Sequence, residues 1–140
     1  MITFKMRALA IMSLIATLGP LSVVAQGPSY FHIPFGFSVG TKSFTPGFYS
    51  IRESRPHVLQ IQSWDGRANV MILATVSERA SVTKPLAVMS FEYVGDRYFL
   101  SKYANTDRGW SVPASADERR LLAAAPRQMQ QLDIVASSRQ

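Results

Sequence analysis

Apolar and polar side chains alternate strictly over residues 30–39. The apolar positions are Phe31, Ile33, Phe35, Phe37 and Val39, and between them lie Tyr30, His32, Pro34, Gly36 and Ser38. Period-two alternation predicts an extended strand with one buried face. Pro34 has no amide hydrogen to donate, so we expect this strand at a sheet edge or beside a bulge. A Pro46-Gly47 turn signal then predicts a second strand over residues 48–52.

The dipeptide Asp65-Gly66 predicts a hairpin with a two-residue loop. This loop would pair Trp64 with Arg67, Ile61 with Val70, and Leu59 with Ile72. One face of the hairpin is then apolar, comprising Leu59, Ile61, Val70, Ile72 and Ala74. The opposite face is mostly polar and carries Gln60, Gln62, Trp64, Arg67, Asn69 and Met71.

A second hairpin is predicted at Gly95-Asp96. Its register pairs Tyr93 with Tyr98, Phe91 with Leu100, and Met89 with Lys102. These pairs place the apolar residues Met89, Phe91, Tyr93, Tyr98 and Leu100 on a single face. Turn chemistry and hydrophobic pattern agree in both hairpins, which supports both registers. We expect the core to include Phe35, Phe37, Ile61, Ile72, Phe91 and Leu100.

The pattern changes near the C-terminus. Residues 77–85 predict a polar connection, and a short strand is expected near Trp110. Ser115 and Glu118 have the spacing of a capping box, which predicts a helix over the following residues, ended or kinked at Pro126. We expect the helix to resume over residues 127–136. The fold class is therefore all-β, an antiparallel sandwich or partly closed barrel of about six to eight strands, with a C-terminal helix.

The first 25 residues have the organisation of an export signal. Lys5 and Arg7 precede an uncharged, mostly apolar run over residues 8–21, and small or medium residues follow at positions 23–25. The run has 14 residues, whereas a membrane-spanning helix needs about 20, which disfavours an uncleaved anchor. We expect a cleaved signal peptide over residues 1–25, a β domain over residues 26–113, and a C-terminal helical segment with its tail over residues 114–140. The predicted location is the periplasm or the extracellular medium.

Composition narrows the classes of function. The chain has no cysteine, which rules out a lipoprotein anchor and any thiol nucleophile. Its net charge of +6 includes Lys5 and Arg7 of the signal segment, and the other basic residues are scattered. Because no basic run interleaved with aromatic residues occurs beyond Arg119-Arg120, we do not expect nucleic-acid binding. Hydrophobic burial, rather than disulfide bonds, must hold the domain together.

Several segments resemble a family of short, exported bacterial β-domain proteins to which no activity is assigned. The resemblance lies in residues 33–37 (IPFGF), 46–51 (PGFYSI), 91–101 (FEYVGDRYFLS) and 115–119 (SADER). They occur in the expected order over most of the mature chain. The resemblance implies an exported β domain and no particular chemistry.

The sequence has no recognisable catalytic or metal-binding motif. His32 and His57 are the only histidines, and neither belongs to a metal-ligand motif, so no metal or cofactor is predicted. No nucleophile elbow or phosphate-binding loop occurs, and no catalytic residue is assigned. Glu92 and Asp96 are carboxylates near the second hairpin, for which a structural role is favoured. The arginine-rich helix of Arg119, Arg120 and Arg127 is expected to cover a sheet edge rather than bind a membrane.

One surface patch is a candidate ligand-binding site. The patch comprises Trp64 with Gln60, Gln62, Asn69 and Arg67. An indole flanked by amides and a guanidinium can dock sugars or peptides. Two alternatives are that Trp64 stacks on Arg67 and that a C-terminal element covers it.

Taken together, these features favour a non-enzymatic extracytoplasmic module that binds or scaffolds a partner, such as envelope polysaccharide or another protein. The alternative is a hydrolase that uses carboxylates at one end of the barrel. A closed, aromatic-filled interior would favour the module, and an open cavity lined by Glu, Asp or His would favour the enzyme.

Cleavage of the signal peptide is directly testable. We expect N-terminal sequencing of the exported protein to begin at Gln26, because the small residues at the preceding positions suit signal peptidase. Intact protein that begins at Met1 in the envelope fraction would contradict this prediction.

Overall fold

The computed structural model describes residues 27–77, 86–124 and 130–137. Two sheets, one of them a curled half-barrel, enclose a single core, and a short helix follows. The first sheet has the strand order β1 (Ser29–Ile33), β4 (Gly47–Arg55), β5 (Val58–Ser63) and β6 (Asn69–Leu73). The second comprises β2 (Phe37–Val39), β3 (Lys42–Phe44), β7 (Thr75–Ser77), β8 (Val88–Val94), β9 (Arg97–Ala104), β10 (Gly109–Ser111) and β11 (Gln130–Val135). The helix α1 spans Ala116–Ala124.

The all-β class with a C-terminal helix is confirmed. The described residues contain eleven strands, more than the predicted six to eight, because several strands are only three residues long. Pairing is antiparallel except for a short parallel contact between β2 and β9.

The strand predicted over residues 30–39 is divided in two. Its alternation holds in β1, but β2 is buried on both faces, because Ser38, expected at the surface, is only 5% exposed. Phe31 and Ile33 of β1, and Phe37 and Val39 of β2, are all buried. The chain leaves the first sheet at Pro34 and enters the second at Phe37. Proline at the break is consistent with its missing donor, because no ladder hydrogen bond is lost there.

The two sheets are joined on both sides. The chain passes from β6 to β7 at Ala74, whose amide donates to the His57 carbonyl (2.8 Å). On the opposite side the Ser137 amide donates to the Tyr30 carbonyl of β1 (2.9 Å). The continuous chain therefore joins the sheets on the first side, and the bond of Ser137 to Tyr30 joins β1 to the residues that follow β11 on the other.

The β5–β6 hairpin has the predicted register but a different loop. Leu59 pairs with Ile72 and Ile61 with Val70, as expected. The two-residue loop is wrong, because the last inter-strand bond joins Ser63 to Ala68 and leaves residues 64–67 in the loop. Gly66 alone in this loop has a positive φ (73°). The Asp65 carboxylate accepts bonds from the Ser63 hydroxyl (2.6 Å) and the Arg67 amide (3.0 Å), which stabilise the wider turn.

The β8–β9 hairpin confirms the predicted tight turn, since Gly95 and Asp96 both have positive φ (55° and 64°). The pairs of Tyr93 with Tyr98 and of Phe91 with Leu100 are confirmed. The predicted pair of Met89 with Lys102 is wrong. A bulge displaces the register, and Met89 pairs with Tyr103. The bulge adds one unpaired residue to β9. As a result the Tyr103 side chain points into the core, where it is 2% exposed.

The capping box is confirmed at the start of α1. The Ser115 hydroxyl accepts a bond from the Glu118 amide (3.2 Å), and the Ser115 amide bonds to the Glu118 carboxylate. The helix expected over residues 127–136 is wrong, because Gln130–Val135 form β11 on the open edge of β8. Ladder bonds to β8 outweigh the weak helical pattern there. Pro126, Arg127 and most of the predicted 77–85 connection lie outside the described residues.

Aromatic side chains fill the core. Phe37 meets Phe91 edge to face at 5.3 Å and Tyr49 at 5.0 Å, and Tyr103 stacks on Trp110 at 5.1 Å (ring centroids). Of the residues expected in the core, Phe37, Ile61, Phe91 and Leu100 are buried, whereas Phe35 and Ile72 are partly buried against it.

We expect Phe91→Ala to lower the free energy of unfolding by about 3–5 kcal/mol, because the fully buried ring leaves a cavity. The matched control is Phe48→Ala, which removes a ring that is 60% exposed and should cost less than about 1 kcal/mol. Urea unfolding of both variants measures the difference. Equal losses would contradict this description of the core.

Candidate functional site

Four aromatic rings lie on the outer face of the first sheet, and we call them the aromatic band: Tyr30, His32, Phe48 and Trp64. Strand alternation places Tyr30, His32 and Phe48 there, because their neighbours Phe31, Ile33 and Tyr49 point into the core, and Trp64 follows directly after the end of β5. Two of the rings are mostly solvent-exposed, Phe48 at 60% and Trp64 at 63%. Large apolar side chains that lie exposed side by side on a rigid sheet mark an interaction surface.

Backbone pairing sets the spacing of the band. His32 is the cross-strand partner of Phe48, and their ring centroids lie 4.7 Å apart. The Trp64 amide donates to the Phe48 carbonyl (2.9 Å), which extends the row onto the end of β5. Tyr30 lies in the next row opposite Ser50, and its ring meets Trp64 edge to face at 6.2 Å.

Amides and the guanidinium groups of two arginines lie beside the band. Gln62 is the cross-strand partner of Asn69. Arg52 donates through Nε to Gln60 Oε1 (2.9 Å), and Gln60 donates through Nε2 to Asn69 Oδ1 (3.3 Å). Gln60 is only 8% exposed, so its amide orients its two neighbours rather than facing solvent. Gln62 and Asn69 keep the surface positions that the sequence predicted.

Arg67 lies in the β5–β6 loop with its side chain 89% exposed, and its Nε is 3.8 Å from Asp65 Oδ2. The hydroxyl bond from Ser63, more than the nearby guanidinium, holds the pKa of Asp65 below its usual value. Trp64 and Arg67 border one groove of about 400 Å³, which we call the loop groove. Its lining includes Pro46, Phe48, Ser63, Trp64, Asp65 and Arg67.

Sequence reasoning identified the Trp64 side of this surface and missed Tyr30, His32 and Phe48 as members of it. Period-two alternation had already placed Tyr30 and His32 on the outward face, so a signal was present. The pairing of β1 and β5 with β4, on opposite sides of that strand, was not predictable from local pattern. None of the described C-terminal residues covers Trp64, given its exposure. Stacking of Trp64 on Arg67 stays a prediction.

The two carboxylates considered from sequence have structural partners. Asp96 lies in the turn and accepts a bond from the Tyr93 hydroxyl (3.0 Å), which raises the pKa of that tyrosine. Glu92 bonds through its side chain to Glu118 of α1, a partner that the sequence did not suggest.

Glu118 is 4% exposed. Burial first, and then the shared hydrogen bond with Glu92 and the charge of its carboxylate, raise the pKa of Glu118 to about 7. The Ser115 amide opposes this shift. A proton shared by two carboxyl groups therefore helps to hold α1 against β8.

No three His, Asp or Glu side chains in the described ranges are grouped closely enough to hold a metal ion. Within the same ranges, no helix combines the length and the apolar character that a membrane span requires.

Comparison with known proteins gave no match to a protein-family model, a curated protein or a solved structure. The resemblance to exported β-domain proteins therefore stays a prediction.

We expect stability to fall as the pH rises from about 5 to about 8. An unfolded glutamate releases its proton near pH 4.5, whereas folded Glu118 keeps it to about 7. Glu118 therefore contributes on the order of 1–3 kcal/mol to the free energy of unfolding. This contribution is complete below pH 4.5 and is lost as the pH rises through the pKa of the folded protein. Glu118→Gln should remove most of this decline in chemical unfolding curves.

Asp117→Asn is the matched control, since Asp117 is an exposed acid on the same helix. It should keep the pH-dependent decline. A flat stability profile for the wild-type protein over this range would contradict the shared proton.

Proposed function

We propose that the protein is an exported, non-enzymatic module that binds envelope polysaccharide through the aromatic band. The observation that carries the proposal is the adjacency of Phe48 in β4 and Trp64 directly after the end of β5, both more than half exposed and joined by a backbone hydrogen bond. Rigid rings lose little conformational entropy when they form contacts, so they suit recognition.

Sugar chemistry complements this surface. A pyranose ring has an apolar C–H face that stacks on aromatic rings, while its hydroxyl groups exchange hydrogen bonds with amides. Trp64 and Phe48 supply the first kind of contact. Gln62, Asn69 and Arg67 supply donors and acceptors beside them, and Gln60 holds Asn69 in place.

The hydrolase alternative requires a carboxyl group that substrate can reach. A pKa of about 7 for Glu118 would suit a general acid. Its carboxyl is nevertheless buried between α1 and the sheet, at 4% exposure. The interior of the described core is occupied by aromatic rings, which favours the binding module.

Export is part of the proposal and is supported by the charged and apolar segments that precede Gln26. The periplasm or the cell exterior is where such a module would meet polysaccharide. The cysteine-free composition fits a domain that is stabilised by its apolar core in that setting.

The test is affinity electrophoresis of the mature protein in gels that contain hydroxyethylcellulose, xylan or soluble β-glucan, together with a peptidoglycan pull-down. Trp64→Ala should weaken retention by about tenfold or more, because it removes a central aromatic contact. Its melting midpoint should change little, since Trp64 is mostly exposed.

Met71→Ala is the matched control, because Met71 is equally exposed on the same sheet face but lies outside the band. It should leave retention unchanged. A wild-type protein retained by none of these polymers would contradict the proposed function, and a large fall in the midpoint of Trp64→Ala would make Trp64 a structural residue.

A further inference from the structure

A second groove lies at the other end of β1, and we call it the terminal groove. Its volume is about 440 Å³. Its lining includes Ser29, Tyr30, Asn105, Thr106, Asp107 and Ser137. The groove is bordered by the start of β1, the β9–β10 loop and the residues that follow β11.

Hydrogen bonds fix the walls of the terminal groove. Asn105 Oδ1 accepts bonds from the amides of Asp107 and Arg108 (both 2.9 Å), which shape the loop. The Ser29 and Tyr103 hydroxyls are 2.9 Å apart, and the bond from Ser137 to Tyr30 ties down the opposite wall. A groove that is already shaped loses little entropy when it is filled.

Tyr30 connects the two grooves. It lines the terminal groove, and its ring contacts Trp64, which lines the loop groove. The link runs across the first sheet, from β1 over β4 to the end of β5, which is about 10 Å at the usual spacing of neighbouring strands. Two grooves separated by an aromatic pair over this distance fit a chain molecule better than a single sugar.

The grooves carry little net charge although the chain is basic. Asp107 is the charged residue of the terminal groove, and the loop groove holds the neighbouring pair of Asp65 and Arg67. Arg52 and Lys42 of the surrounding surface line neither groove. A site for a polyanion would gather basic residues along its path.

We propose that the two grooves form one continuous cleft that binds an internal stretch of an uncharged, linear polysaccharide. The Tyr30–Trp64 pair lies at its centre, so a bound chain stacks there and extends into both grooves. This inference rests on the proposed function and names the class of ligand and the length of the site.

The first experiment varies the length of the oligosaccharide. Isothermal titration of the mature protein with cello-, xylo- and chito-oligosaccharides, from disaccharide to hexasaccharide, should show affinity that rises with length by about tenfold or more. Hydroxyethylcellulose should bind at least as tightly as carboxymethylcellulose, which has the same backbone with negative charges. Tighter binding of the anionic polymer would contradict the inference that the ligand is uncharged.

Thr106→Arg tests the terminal groove, because a long side chain at this exposed loop position obstructs it. The variant should bind the hexasaccharide about tenfold more weakly than the wild type and the disaccharide equally well. Thr41→Arg is the matched control, since it adds the same charge in an exposed turn outside both grooves, and it should bind as the wild type does.

The outcomes separate this inference from the proposed function. If Trp64→Ala loses polysaccharide binding while Thr106→Arg binds the hexasaccharide as tightly as Thr41→Arg, the loop groove acts alone and the continuous cleft is wrong. If the wild type binds no polysaccharide, the proposed function itself fails. Melting midpoints near that of the wild type confirm that each variant is folded.

Discussion

Phe31 of β1 packs between the sheets, 1% exposed, and its ring meets Tyr103 of β9 edge to face at 6.3 Å. This contact fixes which side of β1 faces inward. Because neighbouring side chains on a strand point to opposite faces, burying Phe31 and Ile33 sends Tyr30 and His32 to the surface. A register slip of one residue would bury the surface rings and expose the core ones. The candidate site therefore depends on the packing beneath it.

The same constraint links the core to both grooves. Tyr103 reaches the core only because the β8–β9 bulge rotates it inward. Its hydroxyl then lies beside Ser29 at the terminal groove, and burial raises its pKa. Without disulfides, aromatic packing supplies the stability of the layers and also the rigidity of the outer face. The proposed polysaccharide site would share that rigidity.

Local sequence pattern predicted the features that depend on near neighbours. Alternation identified the faces of β1 and the apolar positions of β2, and Ser115 with Glu118 marked the start of α1. Turn residues predicted the tight turn at Gly95-Asp96 and the strand register beside Asp65-Gly66, although that loop is wider than predicted. Features that depend on distant partners were missed. Gln130–Val135 became a strand because β8 offered an unpaired edge, and the partnership of Glu92 with Glu118 arises when α1 folds back. The pattern of one hairpin was enough to predict that Trp64 lies at the surface. The aromatic band could not be predicted in this way, because it forms only when three strands pair.

The central claim is that polysaccharide contacts the exposed tryptophan and leaves the buried one undisturbed. The chain has two tryptophans, Trp64 at 63% exposure and Trp110 at 1%. Their indole N–H signals, assigned with Trp64→Phe, can be followed by nuclear magnetic resonance during titration with hydroxyethylcellulose. We expect a progressive shift or broadening of the Trp64 signal alone. An unchanged Trp64 signal at saturating polymer, or a change confined to Trp110, would contradict it.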